Sequence, residues 1–199
     1  SQKDFDNLFN PTRKSHQIYN PIDSDFVQSS AEEYKPDISG YLIHVGKFKQ
    51  QKRHDVLIRA YQKSGVDKPL VLVGQGPLRG HAEKLVDKLG LKRRVIFCGF
   101  KPNPYPLIKY ADLMVLSSEF EGLGLVILES IVLGTPVIST NCESGPGEIL
   151  PPKNLVPVND IEALADKIAE ASTAPTRYLT GLKAEFQLEQ SIGKYLNII

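Results

Sequence analysis

The chain has 199 residues, of which 41% are hydrophobic and 24% are charged, and its formal net charge is +1. This composition is typical of a soluble globular domain, and the near-zero net charge gives no reason to expect nucleic acid or an acidic membrane as the main partner. No apolar run approaches the ~18 residues of a transmembrane helix, and the N-terminus lacks the apolar core of a signal peptide.

Residues 1–38 are polar and show no sustained hydrophobic period. We expect this stretch to be a linker, or the remnant of something missing before it. The chain begins with Ser1 and contains one methionine, which suggests a piece of a longer protein. Asp4-Phe5-Asp6 and Asp23-Ser24-Asp25 look like metal-binding Asp-x-Asp pairs, but turn and helix-cap chemistry explains them better.

From residue 41 onward, short apolar runs alternate with amphipathic segments. The runs are typical of strands buried on both faces, and they cover residues 41–45, 70–73, 95–98, 113–116 and 136–139. The apolar stripes that predict helices are Val56, Leu57, Ala60 and Tyr61; Leu78, Ala82, Leu85, Val86 and Leu89; and Ile161, Leu164, Ala165 and Ile168, with Asn159 or Asp160 as N-cap of the third.

Strand alternating with helix predicts βαβ units with right-handed crossovers. The expected fold class is therefore α/β, with a Rossmann-like doubly wound parallel sheet. We predict this domain over residues 39–175 and a C-terminal helical tail over residues 176–199, where an apolar stripe from Leu188 to Ile199 indicates a final helix.

Cysteine and histidine usage gives no sign of a metal centre or a disulfide. Cys98 and Cys142 lie inside or just after apolar runs, and we expect reduced core cysteines of a cytosolic protein. The histidines are scattered without zinc-ligand spacing, at His16, His44, His54 and His81.

Because ligands of doubly wound sheets bind at the carboxyl ends of the strands, the loops that follow the runs are the candidate sites. In the first loop, Gly46 allows close backbone approach, and Lys47 and Lys52 could turn toward an anion. The alternative is a solvated basic loop. The third loop combines Phe100 with rigid prolines, which could frame a flat ring or simply form a stiff connector.

The second loop, Gly74 to Gly80, is similar to a dinucleotide-binding fingerprint. Its third glycine falls one place late, and the loop follows the second apolar run rather than the first. Both departures weaken the case for an NAD-binding oxidoreductase, which stays as an alternative.

Two carboxylates in residues 119–139 are the strongest indication of function. Glu129 stands in an almost entirely aliphatic helix, where a carboxylate costs several kcal/mol unless hydrogen-bond donors reach it. It could accept both hydroxyls of a vicinal diol such as a ribose, and Glu121 could address a second sugar. The alternative for Glu129 is a buried ion pair with a lysine or arginine. Gly122 and Gly124 expose backbone amides near the helix start, where phosphates are attracted.

The fifth loop, residues 142–148, has flexible glycines and carboxylates on the expected ligand side of the sheet. A tight structural turn is as good an interpretation of it as direct ligand contact.

The segment from Glu121 to Glu129, followed by Gly134-Thr-Pro-Val-Ile, resembles the Glu-x7-Glu signature of retaining glycosyltransferases of family four, which have the GT-B fold. Other stretches occur in the order of that family, at residues 20–23, 46–52, 73–78, 99–100 and 111–118. Residues 144–149 resemble a subgroup that builds bacterial surface polysaccharides and lipopolysaccharide. The resemblance implies that this chain is the C-terminal, donor-binding half.

The resemblance also implies roles for individual residues. Lys47 and Lys52 would hold the donor diphosphate and stabilise the leaving nucleotide, and with Glu121 they form the expected catalytic set. The family usually has arginine at the first position, so Lys47 keeps the charge but loses the bidentate fork. Glu121, Gly122 and Leu123 would contact the donor sugar. The residues expected at the donor nucleotide are Gly46, Lys47, Lys52, Phe100, Leu123, Gly124, Leu125, Val126 and Glu129.

The substrate implied by the resemblance is a nucleoside diphosphate sugar, expected to be a UDP-sugar, with no obligatory metal or other cofactor. The sugar would pass with retention to a growing glycan or lipopolysaccharide. The glycan or lipid-linked acceptor would be bound by the absent N-terminal half. The chain alone is then expected to bind nucleotide but to transfer slowly or not at all. The expected location is the cytoplasm, with any contact to the inner membrane made through the absent half. A sugar-nucleotide epimerase or a phosphorylase of the same architecture is a further alternative.

Overall fold

Six strands form one parallel sheet in the computed structural model, which describes residues 18–196. The strands are β1 (Leu42–Val45), β2 (Leu70–Val73), β3 (Val95–Gly99), β4 (Leu113–Leu116), β5 (Val137–Thr140) and β6 (Leu155–Val156). Their order across the sheet is β3-β2-β1-β4-β5-β6, and all neighbours pair in parallel. This is the strand order of a dinucleotide-binding Rossmann sheet, so the predicted fold class is confirmed.

Helices flank both faces of the sheet. They are α1 (Ser24–Ser30), α2 (His54–Ser64), α3 (Arg79–Lys88), α4 (Tyr105–Lys109), α5 (Leu125–Val132), α6 (Pro146–Ile149), α7 (Ile161–Thr173) and α8 (Leu188–Leu196). Short 3-10 turns cover Gln50–Lys52, Pro152–Asn154, Pro175–Tyr178 and Ala184–Phe186. The predicted stripes at α2, α3 and α7 are confirmed, and Asp160 caps α7 by accepting from the backbone N–H of Ala163 at 2.9 Å. Residues 197–199 of the predicted final helix lie outside the described part.

Side chains alternate between two cores along the strands, as period-two geometry requires. On β1, Leu42 packs into the cluster under α2, α3 and α7, while Ile43 packs into the cluster under α4 and α5. Both side chains are fully buried. Burying a side chain of this size stabilises the fold by about 1.5–3 kcal/mol. The two clusters hold the sheet rigid, which fixes the positions of the loops at its carboxyl edge.

Residues 18–38 contain more regular structure than their sequence indicates. Helix α1 lies where no helical period was visible, and Asp23 caps it by accepting from the backbone N–H of Phe26 at 2.9 Å. Ile22 and Val27 are buried in the second core. The packed part of the fold therefore starts before residue 39. The predicted domain limits at 38 and 175 stay predictions.

The cap on α1 confirms the helix-cap interpretation of Asp23-Ser24-Asp25, whereas Asp4-Phe5-Asp6 lies outside the described residues. At the other end of the chain, Phe186 is fully buried, and its backbone carbonyl accepts from the N–H of Ile22 at 2.9 Å. No helix within residues 18–196 is long and apolar enough to span a membrane.

Candidate functional site

The strand order reverses between β1 and β4, and the loops after these two strands flank the crevice where ligands of such sheets bind. The two loops are tied together. The Oγ of Ser117 donates to the carbonyl oxygen of Lys52 at 2.8 Å, and the backbone N–H of Glu119 donates to the carbonyl of Gln51 at 2.8 Å. The position of Lys52 at the crevice is therefore set by β4 as well as by its own loop.

One cavity of about 480 Å³ opens beside this crevice, and we call it the Glu129 cavity. It is lined by Val45, Gly46, Lys47, Val73, Gly74, Gln75, Phe100, Lys101, Pro102, Pro104, Tyr105 and Glu129. Gly46, Lys47, Phe100 and Glu129, predicted from three separate segments, thus line the same cavity. The volume is in the range of small-ligand pockets, roughly 300–1,000 Å³.

Glu129 lies in the second turn of α5 with the buried Ile127 and Leu128 beside it. Burial raises the pKa of its carboxyl group. Within residues 18–196 it has no ion pair and no side-chain hydrogen bond, so the alternative of a partner lysine or arginine is not what this part of the chain shows. A half-buried carboxylate that lines a cavity gains free energy from ligand hydroxyls that donate to it.

Tyr105 and Lys101 also line this cavity, although the sequence did not single them out as site residues. Tyr105 begins α4, and burial, reinforced by the nearby charge of Glu129, raises the pKa of its hydroxyl. Lys101 adds a second cation to the cavity lining, besides Lys47. Neither belongs to a recognisable pattern, and only the proximity of the third loop to α5 identifies them.

The glycines of the second loop have a packing role. A Cβ on Gly74 would come within 2.1 Å of the carbonyl oxygen of Gly46, and its φ of +142° also disfavours side chains. The backbone N–H of Gly46 donates to Val73 at 2.9 Å, so the first two loops touch through their backbones. The similarity to a dinucleotide fingerprint therefore has a structural cause that involves no dinucleotide.

Glu121 lies on a second cavity of about 360 Å³, which we call the Glu121 cavity. Its lining residues are Ile18, Tyr19, Asn20, Phe120, Glu121, Gly122, Leu123, Ser144 and Glu148. The Glu121 side chain is buried, and its Oε1 accepts from Lys52 Nζ at 2.5 Å and from Ser118 Oγ at 2.6 Å. The sequence predicted both Lys52 and Glu121 as site residues but not that they pair with each other.

Three of the predicted backbone donors, Gly124, Leu125 and Val126, lie at the start of α5 and line neither cavity. Gly124 is the N-cap residue with φ +75°, and no side chain caps this end. The first-turn amides of Leu125 and Val126 are thus placed where a helix attracts an anion. The backbone of Gly145 packs closely against that of Leu123, since a Cβ on Gly145 would come within 2.6 Å of the Leu123 carbonyl oxygen. The 142–148 loop thus forms a structural turn, while its Ser144 and Glu148 line the Glu121 cavity.

A buried aromatic layer supports the loop that carries the two lysines. His54 stacks on Phe48 with 4.0 Å between ring centroids and meets His44 edge-on at 4.7 Å. The Nδ1 of His44 lies 2.9 Å from the carbonyl oxygen of Val115, and burial lowers the pKa of His44 to about 4. Burial lowers the pKa of His54 as well, so both rings are neutral at pH 7. In the sequence these histidines are scattered, and their spacing does not indicate that they contact each other.

Other groups in the described part are unremarkable. Cys98 and Cys142 are free thiols, and burial raises the pKa of Cys142 to about 11. Within residues 18–196, no three histidine, cysteine, aspartate or glutamate side chains are grouped as metal ligands would be.

Comparison with known proteins gives a family match and several relatives. The model of the family described as "Glycosyl transferases group 1" matches residues 27–184. An N-acetylgalactosamine-N,N'-diacetylbacillosaminyl-diphospho-undecaprenol 4-alpha-N-acetylgalactosaminyltransferase from Campylobacter jejuni is 31% identical over 137 residues, covering 69% of this chain and 38% of that protein. The lipopolysaccharide core biosynthesis glycosyltransferase LpsE of Rhizobium meliloti is 36% identical over 132 residues, covering 65% and 38%.

Among solved structures, the Anabaena protein Alr3699/HepE in complex with UDP and glucose superposes with a TM-score of 0.79 at 21% identity, covering 98% of this chain and 56% of that one. At this identity the likeness concerns the fold alone. The chain spans well under half the length of the curated relatives it matches.

Proposed function

Because this chain belongs to the glycosyl transferases group 1 family, we propose that it is the donor-binding half of a glycosyltransferase and binds a nucleoside diphosphate sugar. The observation that carries the proposal is the meeting of Lys47, Phe100 and Glu129 on the Glu129 cavity. The cation can bind the diphosphate, the exposed aromatic side chain can contact the base, and the carboxylate, which has no ion pair among residues 18–196, can accept from the ribose.

The ribose would lie against Glu129. A vicinal diol offers two O–H donors with the spacing of the two carboxylate oxygens, and hydrogen bonds to an ionised group are about twice as strong as neutral ones. Because burial disfavours the charged form of Glu129 before the ligand arrives, such donors replace the hydration that the carboxylate has lost.

The diphosphate would lie between the lysines and the start of α5. Lys47 is exposed on the cavity wall and forms no ion pair within the described residues, so its ammonium is available to an anion. Lys52 and the amides from Leu123 to Val126 would complete the set that stabilises the leaving nucleotide. We propose that this positive charge serves without an obligatory metal.

The base would lie at the Phe100 end of the cavity, where Phe100 is 61% exposed and the prolines of its loop are rigid. UDP is the donor nucleotide that we propose. The support is the complex of Alr3699/HepE with UDP, whose fold this chain shares.

Glu121, Gly122 and Leu123 would contact the donor sugar, which passes with retention of its anomeric configuration to a growing glycan or lipopolysaccharide. The names of the Campylobacter and Rhizobium relatives support an acceptor of this class. We place the acceptor in a separate N-terminal half of a cytoplasmic enzyme, where any inner-membrane contact would also lie. The chain alone would then bind nucleotide and transfer sugar slowly or not at all.

Calorimetric titration of the chain with UDP and, separately, with NAD tests the proposal. We expect UDP to bind and NAD not to bind. Saturable binding of NAD without binding of UDP would favour an oxidoreductase and overturn the proposal.

A further inference from the structure

The ion pair between Lys52 and Glu121 joins the two loops that flank the crevice. Its atoms, Nζ and Oε1, are 2.5 Å apart, and the two side chains are only 15% and 7% exposed. Ser118 donates to the same Oε1 at 2.6 Å. A contact this close and this shielded is stronger than an exposed pair, so neither partner is fully available to a ligand while it lasts.

Hydrogen bonds fix the backbone of Lys52, whereas its side chain is held at its end, by the ion pair with Glu121. Its carbonyl oxygen accepts from Ser117 Oγ at 2.8 Å, and its N–H donates to Lys49 at 3.1 Å. Its aliphatic stem passes beside Gly46, since a Cβ on that glycine would come within 3.4 Å of the Lys52 Cδ. Gly46 lines the Glu129 cavity and Glu121 lines the other one, so the stem of Lys52 runs between the two cavities.

The ammonium of Lys52 therefore has two possible anionic partners, reached by rotation of one side chain. We propose that Lys52 exchanges one anionic partner for another when the donor binds. The diphosphate draws Lys52 away from Glu121, and the freed carboxylate oxygen of Glu121 then accepts a hydrogen bond from a hydroxyl group of the donor sugar. This inference rests on the function proposed above.

The exchange couples two recognition events at one site. A free sugar has to compete with Lys52 for Glu121, whereas a sugar attached to a diphosphate arrives with the anion that removes Lys52. Glu121 thereby acts on nucleotide affinity without touching the nucleotide, and it does so by holding Lys52 back. A residue that only contacted the sugar would leave the affinity for UDP unchanged.

The test measures the affinity of the chain for UDP, without sugar, in the Glu121→Gln variant. Glutamine keeps the size of the side chain and its acceptor for Ser118 but removes the charge that holds Lys52. We expect UDP to bind about fivefold more tightly, the equivalent of one partly screened ion pair. Glu119→Gln is the matched control, because it removes the same charge two residues away at a side chain that pairs with Arg53 instead. Its affinity should stay within about twofold of the unsubstituted chain.

A chain without Lys52 distinguishes release of Lys52 from the general electrostatic effect of removing a negative charge near the ligand. In a Lys52→Met chain, Glu121→Gln should not tighten UDP binding, because the cation that it would release is absent. Equal tightening with and without Lys52 would overturn the exchange, as would unchanged or weaker UDP binding in Glu121→Gln. Glu121→Asp, which retains the charge but withdraws it by one methylene, should tighten binding by less and serves if the glutamine variant does not fold. Failure of the unsubstituted chain to bind UDP would instead refute the function proposed above.

Discussion

Ser117 donates a hydrogen bond from its Oγ to the backbone carbonyl of Lys52 at 2.8 Å, and this bond fastens the loop after β1 to the end of β4. Ser117 is fully buried, and the same hydroxyl lies 3.1 Å from the carbonyl of Arg53. This hydrogen bond places the backbone of Lys52 at the strand-order reversal and does not involve the Lys52 side chain.

Replacement of this serine should therefore loosen the lysine loop. We expect Ser117→Ala to lower the free energy of unfolding by about 1–3 kcal/mol, because a buried carbonyl loses its donor, and to weaken UDP binding through misplacement of Lys52. Urea denaturation and UDP titration measure the two effects. The control is Ser29→Ala, whose hydroxyl bonds an exposed carbonyl of its own helix at 3.1 Å, and a loss there as large as at Ser117 would contradict the argument.

The contact between the first two loops predicts a strong difference between two glycines. Gly74→Ala should destabilise the fold by more than about 2 kcal/mol, because its Cβ would overlap the carbonyl of Gly46 and its φ disfavours a side chain. Gly80→Ala lies within α3 with open space around it and should stabilise the helix by up to about 1 kcal/mol. Thermal unfolding of the two variants decides, and equal effects would show that the close approach is not required.

The buried histidine layer predicts loss of stability in mild acid. Burial lowers the pKa of His44 from 6.5 to about 4. Between these two pH values His44 is therefore protonated in the unfolded chain and neutral in the folded chain. Stability due to this group is complete above pH 6.5 and is lost as the pH falls toward 4, with a slope of at most about 1.4 kcal/mol per pH unit. Denaturant unfolding between pH 7 and pH 5 measures the slope.

The slope should become smaller in His44→Gln and should persist in His81→Gln, since His81 is exposed on α3. His54 faces the same layer, with Lys52 and Asp55 as neighbouring charges, and burial lowers its pKa as well. Part of the slope should therefore remain after His44 is replaced. A slope that His44→Gln does not change would contradict the assignment.

The charge of Lys47 predicts a salt-dependent contribution to nucleotide binding. Lys47→Ala should weaken UDP binding roughly tenfold, because a hydrogen bond between ionised groups is worth about 1.5–3 kcal/mol, of which part is screened at an exposed site. Lys49→Ala, two positions along and outside the Glu129 cavity, should change the affinity by less than about twofold. The UDP affinities of Lys47→Ala and of the unsubstituted chain should differ at low salt and approach each other at high salt.

Much of the fold was visible in the sequence because its signals are local. The five apolar runs became β1 to β5, since aliphatic stretches bounded by glycine and polar residues have few other stable arrangements in a parallel sheet. Strand β6 was missed because two residues, Leu155 and Val156, carry no period. Helix α1 was missed because its stability comes from the Asp23 cap and from docking rather than from an apolar stripe.

The site was less predictable because its contacts join distant segments. Glu129 was identifiable as a carboxylate in an aliphatic helix, yet its proximity to Tyr105 depends on where α4 crosses α5. Lys52 and Glu121 are 69 positions apart, and only the adjacency of β1 and β4 brings them together. Sequence spacing also could not show that the predicted residues are divided between two cavities.

Binding of the donor ribose at Glu129 is tested most directly by comparing the affinities of the chain for UDP and for 2′-deoxy-UDP. The unsubstituted chain should bind UDP about tenfold more tightly, because one hydroxyl donates to a half-buried carboxylate. In Glu129→Gln the preference should fall below about twofold, while Glu162→Gln, on the exposed surface of α7, should keep it in full. An unaltered preference for UDP in Glu129→Gln, or equal affinities for the two nucleotides in the unsubstituted chain, would contradict binding of the ribose at Glu129.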